Sequence, residues 1–138
     1  MSAALLHHLA QEHAATGNFL ELLEMEAQAM TGGDFSALPA LAQRKSALAD
    51  EIMQLTRQRE QTQVAMGYAA GRAGADACIA AGGEALQTAW SSLRERAAMA
   101  REHNHRNGVM IHTHLDFTRQ SISFLQARGQ LLYGPDGS

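Results

Sequence analysis

The chain has 138 residues, 46% of them hydrophobic and 18% charged, which suits one domain with a core of ordinary size. Ala, Leu, Gln, Glu and Met dominate, there are only 2 prolines and β-branched residues never alternate, so an all-α fold is expected and a sheet is not. The formal charge is −3 and the basic residues form no stripe interleaved with aromatics, which argues against nucleic acid or an anionic membrane as the main partner.

Cys78 is the single cysteine, so no internal disulfide can form and a reducing compartment is the simpler assumption. The opening Met1-Ser2-Ala3-Ala4-Leu5-Leu6-His7-His8 lacks a basic region and an uninterrupted apolar run. It reads as neither a signal peptide nor a stable membrane insertion, and a cytoplasmic location is expected.

A first helix is predicted over about 2–31. Leu6, Leu9, Leu20, Leu23, Ala27 and Met30 fit a heptad grid, with His13 and Thr16 filling its gaps. Ser2 suits the N-cap and Thr31-Gly32-Gly33 suits the end. Gly17 in its middle costs about 1 kcal/mol relative to Ala.

Asp34 or Ser36 can cap a second helix, over about 36–68, with Pro39 in its first turn. Its grid reads Leu38, Leu41, Lys45, Leu48, Ile52, Leu55, Arg59, Thr62 and Met66. The plainer reading of Lys45 and Arg59 is that they lie at the seam edge with their heads in water. The sharper one is that both point inward to hold an anion, as a small helical enzyme would require.

Five glycines break up residues 67–83: Gly67, Gly71, Gly74, Gly82 and Gly83. No phosphate-binding glycine pattern is present, so this stretch reads as a flexible connector or a short helix from Asp76 to Ala81, capped by Asp76. Cys78 reads as a packing residue, because no His or basic residue adjoins it.

A third long helix is predicted over about 84–128, on the order of 65 Å at ~1.5 Å per residue. Leu86, Trp90, Leu93, Ala97, Ala100, Asn104, Asn107 and Ile111 form its seam, and Arg94, Glu95, Arg96, Arg101 and Glu102 its wet face. Asn107-Gly108 normally announces a turn. Here the apolar face carries across it without a gap, through a four-four stutter to Leu115, so one continuous helix is expected. Asn104 and Asn107 cost stability in a seam but restrict register, and Gly108 would let another helix approach closely. A binding hotspot or hinge is the competing reading of these three residues. Gly129 is the expected C-terminal stop, leaving 129–138 as a flexible tail.

Past Gly108 the helix carries two apolar stripes. One is Ile111, Leu115, Ile122, Leu125 and Leu132, and the other is Met110, Phe117, Phe124 and Leu131. At ~100° per residue they span roughly 200°, about twice what a one-sided amphipathic helix needs. An enclosed helix end, a homodimer seam or a docking surface for a partner's amphipathic helix would each use the surplus.

The seven histidines do not suggest a metal site. His103 and His105, and His112 and His114, are spaced by two and fall on opposite flanks of a helix. No nucleophile–base pair or catalytic carboxylate pair stands out, and neither enzyme activity nor a cofactor is expected.

Gly33-Asp34, the second-helix grid with Lys45 and Arg59, Trp90, the element Asn104-x-x-Asn107-Gly108-x-x-Ile111 and Tyr133-Gly134 together resemble the FlgN family of flagellar type III export chaperones. The resemblance covers nearly the whole chain. It implies one all-α chaperone domain over 1–138: an elongated antiparallel bundle or coiled coil of three main helices, with a short helix or loop at 69–83. It further implies a chaperone that binds the C-terminal segments of hook-associated junction proteins, prevents their premature association, and delivers them to the export gate protein. Met110, Phe117, Ile122, Phe124, Leu125 and Leu131 would then form the substrate groove, and Tyr133 would dock at the gate. Trp90, Asn104, Asn107 and Gly108 would serve packing and register. A monomer or weak dimer is implied; a homo-oligomeric coiled-coil adaptor without an export role is the alternative.

Overall fold

The computed structural model describes residues 2–133, with side chains described as far as Gly129. Its elements are α1 (Ser2–Thr31), a 3-10 turn (Phe35–Ala37), α2 (Leu38–Ala65), α3 (Arg72–Ala80) and α4 (Glu84–Tyr133). The expected all-α fold is thus present, with no strand among the described residues. The chain divides into two compact units, Met1–Asn104 and His105–Ser138.

In the first unit α1 and α2 form an antiparallel hairpin. Gly33, at φ 76°, reverses the chain in a conformation that a side chain would strain. The expected capping of α2 by Asp34 or Ser36 does not occur. Asp34 instead accepts a hydrogen bond from Ser36 Oγ at 2.8 Å, and α2 begins without a side-chain cap, with Pro39 in its first turn.

The seam of α1 differs from the predicted grid in one of its two rows. Leu9, Thr16, Leu23 and Met30 are buried, as the grid requires of Leu9, Leu23 and Met30. The companion row is not Leu6, His13, Leu20 and Ala27, however, but Leu5, Glu12, Phe19 and Glu26. Leu6 stays exposed while Glu12 and Glu26 are buried. Charged residues can occupy the seam because α2 supplies their partners. Arg59 Nε donates to Glu12 Oε2 at 2.6 Å, and Lys45 Nζ lies 3.2 Å from Glu26. The edge-of-seam reading therefore fails for Arg59, which is buried. The anions it and Lys45 hold are the chain's own carboxylates, not a ligand.

A polar chain extends from this pair. Thr56 Oγ1 donates to Glu12 Oε1 at 2.9 Å, and Arg59 Nη1 donates to Gln63 Oε1. Gln63 is fully buried and its Nε2 donates to the carbonyls of Ala69 and Ala70 at 3.1 and 3.0 Å. One side chain thereby satisfies backbone groups that the connector would otherwise leave unpaired. The Arg59 guanidinium also lies 5.0 Å from the centroid of the Trp90 ring.

The glycine-rich stretch is not merely a connector. Its helix α3 spans Arg72–Ala80, starts four residues before the predicted Asp76 and is preceded by Gly71 at its N-cap. Cys78 and Ile79 join Leu5, Leu9, Leu86 and Leu93 in one buried cluster, with Met66, Tyr68, Ala89 and Trp90 packed against it. Asp76 does not cap; it accepts a hydrogen bond from Trp90 Nε1 at 2.9 Å and so ties α3 to α4. Burial raises the Cys78 thiol pKa, as expected of a packing residue.

Along α4, Leu86, Leu93, Ala100 and Asn107 are buried at heptad spacing. Arg96 leaves the predicted wet face: it donates to the His13 carbonyl at 2.9 Å. A Cβ at Gly17 would stand 2.6 Å from its Nη1, so the helix-weakening glycine makes room for the guanidinium.

Candidate functional site

The helix continues through Asn107-Gly108, and neither residue has a positive φ. The predicted stop at Gly129 is absent, because α4 runs through it to Tyr133. Part of the expected tail is therefore helical, and 134–138 lie outside the described residues. In isolation Gly129 would weaken a helix by only about 1 kcal/mol relative to Ala, too little to impose an end on neighbours such as Leu125, Gln126 and Ala127 that favour helix.

The second unit begins at His105. Met110, Phe117, Ile122, Phe124 and Leu125 are all exposed on it, with Phe117 and Leu125 at 66% and Phe124 at 62%. Val109 and Leu115 are exposed as well. At ~100° per residue, Phe117 and Phe124 lie on one flank of an apolar arc and Leu115 and Ile122 on the other. Ile111 and Thr118, between the flanks, are half-buried. Leu131 and Tyr133 fall in the last turns of α4, and their side chains lie outside the described residues.

Thr118, His114 and Ser121 fall between the flanks of the arc, each half-buried. Thr113 Oγ1 donates to the Val109 carbonyl and Thr118 Oγ1 to the His114 carbonyl, each at 2.9 Å, so both hydroxyls are satisfied within the helix. His112 Nε2 lies 3.4 Å from Asp116 Oδ2 on the opposite side of the helix. An apolar surface laid over Thr118 therefore leaves its hydroxyl satisfied.

The register residues occupy distinct environments. Trp90 is half-buried and Asn107 is buried. Asn104 is exposed, and its Oδ1 accepts a hydrogen bond from Lys45 Nζ at 3.0 Å. The anticipated close approach at Gly108 is not seen: a Cβ built there meets nothing within 4 Å. Among the described residues, no group of three or more His, Cys, Asp or Glu is placed to hold a metal.

A groove of about 630 Å³ lies in the first unit, lined by residues that include Thr56, Arg59, Trp90, Arg94 and Arg101. Arg59 is engaged by Glu12 there, and Glu12 also accepts from the Thr56 hydroxyl. Glu12, Glu26 and Gln63 are the internal polar residues that the apolar pattern did not find. The signal for the two acids was their spacing: they lie two heptads apart on α1, as Arg59 and Lys45 do on α2.

The family model described as "FlgN protein" matches residues 1–138. A "Flagella synthesis protein FlgN" of Yersinia enterocolitica is 39% identical over 54 residues, covering 38% of this chain and 37% of that relative. The protein of the same description from Yersinia enterocolitica serotype O:8 / biotype 1B matches with the same identity and coverage. The aligned stretch thus spans 37% of the length of each relative. No solved structure matches the chain. Among the described residues no helix is long and apolar enough to cross a membrane.

Proposed function

The chain belongs to the FlgN protein family, and from that membership we propose that it is a cytoplasmic export chaperone of flagellar assembly. It binds the amphipathic C-terminal segments of hook-associated junction proteins through the apolar arc of α4, prevents their premature association and delivers them to the export gate. Met110, Phe117, Ile122, Phe124, Leu125 and Leu131 contact the segment, and Tyr133 engages the gate. No chemical step is required of the chaperone.

The observation that carries this reading is the exposure of both flanks of the arc, with Phe117 and Phe124 more than half in water. Burying a side chain of this size contributes about 1.5–3 kcal/mol, so a few such anchors can offset the ordering of a disordered segment. An export substrate must stay unfolded enough to pass a narrow channel, and its amphipathic ends need cover until then.

The test is Phe117→Ala combined with Phe124→Ala. Helicity should persist, because both rings are exposed, while binding of a junction-protein C-terminal peptide should weaken at least tenfold, the equivalent of about 1.4 kcal/mol. Unchanged binding would remove the arc from the mechanism. A tight dimer at low micromolar concentration that binds no peptide would favour the homo-oligomeric adaptor instead.

A further inference from the structure

The charges around the arc carry an inference about the occupant. Residues 105–129 contain Arg106, Arg119 and Arg128 and a single carboxylate, Asp116. Asp116 sits with His112 on the face away from the arc. Arg119 follows Leu115 by four residues and precedes Ile122 by three, so it borders one flank. Arg128 follows Phe124 by one turn, and its guanidinium lies 5.9 Å from the centroid of that ring. A cation is thus held against the apolar surface near its C-terminal end. No carboxylate among the described residues pairs with Arg119 or Arg128.

The spacing specifies a helix as the occupant. Ile111, Leu115, Thr118, Ile122 and Leu125 alternate four and three, the pattern that accepts a second helix by knobs-into-holes packing. In that geometry the flanking positions of the partner meet the cations bordering the seam. We propose that the segment bound by this arc is acidic at the positions flanking its apolar seam, with carboxylates meeting Arg119 and Arg128. The proposal rests on the docking role of the arc given above and adds the charge of the segment.

Two other occupants fit less well. A second copy of residues 105–129 would bring its own arginines to the same borders, with its one carboxylate, Asp116, on the far side. An anionic membrane would favour a polar face rich in Lys and Arg, whereas this one is mostly uncharged, with Thr113, Gln120, Ser123 and Gln126.

The experiment uses the full chain and three synthetic helical peptides with one apolar heptad pattern and Glu, Gln or Lys at the flanking positions. The Glu peptide should bind about tenfold more tightly than the Gln peptide, as two or three exposed ion pairs allow, and the Lys peptide more weakly than either. The difference should shrink between about 0.05 M and about 0.5 M salt. Arg119→Glu with Arg128→Glu should reverse the order, with an unchanged circular dichroism spectrum. Equal binding of the three peptides would overturn the charge inference and leave the docking role standing. If none of them bound, both would fall. Binding to phosphatidylserine vesicles without discrimination among the peptides, or a dimer indifferent to all three, would also overturn the proposal.

Discussion

Arg59 and Glu12 form an ion pair at 2.6 Å with both side chains nearly closed to solvent. Taking both charges out of water costs several kcal/mol, which their attraction and the bonds from Thr56 and to Gln63 offset. The pair therefore contributes specificity to the α1–α2 hairpin more than net stability.

Glu12→Ala leaves Arg59 buried without a counterion. A loss of about 3–5 kcal/mol is expected in urea unfolding. Glu12→Leu with Arg59→Met should recover most of it, because an apolar pair carries no desolvation penalty. Lys45 is partly exposed, so breaking Lys45–Glu26 should cost less.

Two glycines inside helices should respond oppositely to alanine. Gly108→Ala meets open space and should raise stability by up to about 1 kcal/mol. Gly17→Ala must displace the Arg96 guanidinium and break its bond to the His13 carbonyl, which offsets the propensity gain. Thermal melts of the two variants distinguish them: only the first should melt higher than the parent.

This contrast also shows what the sequence could reveal. The continuity of α4 across Asn107-Gly108 was legible because an unbroken apolar phase outweighs one weak helix former. The true α1 seam was not. Two heptad rows, one through Leu6 and His13 and the other through Leu5 and Glu12, compete for the same helix, and apolarity alone favours the first. Only the cations on α2 tip the choice, and that is a pairing between distant segments. Gln63 was hidden for the same reason, since its partners are carbonyls of a connector whose path no local pattern fixes. The exposed arc was legible as an excess of apolar residues, whereas the bond from Trp90 to Asp76 depended on where α3 begins.

Trp90 is the only tryptophan, so its fluorescence reports on this part of the fold. Asp76→Ala removes the acceptor of its indole N–H and should red-shift the emission as the contact loosens. The accompanying loss should be about 1 kcal/mol, because Asp76 is half exposed. An unshifted spectrum would mean that the indole is held by packing alone.

Cys78 should resist alkylation at neutral pH and react fully in urea, as followed by intact mass. Burial raises its thiol pKa, so the unfolded chain ionises first as pH increases. Its contribution to stability is therefore complete below the ordinary thiol range and is lost as pH rises through the folded value. Cys78→Ala should flatten that alkaline decline.

The two ion pairs of the hairpin share one spacing, and that has a mechanical consequence. Sliding α2 by one heptad along α1 would bring Arg59 level with Leu5 or Phe19 instead of Glu12, and would carry Lys45 away from Glu26 in the same step. Both cations would lose their carboxylates together. The hairpin thus behaves as a keyed joint: heptads alone would let it shear, and two buried charges make every neighbouring notch a misfit.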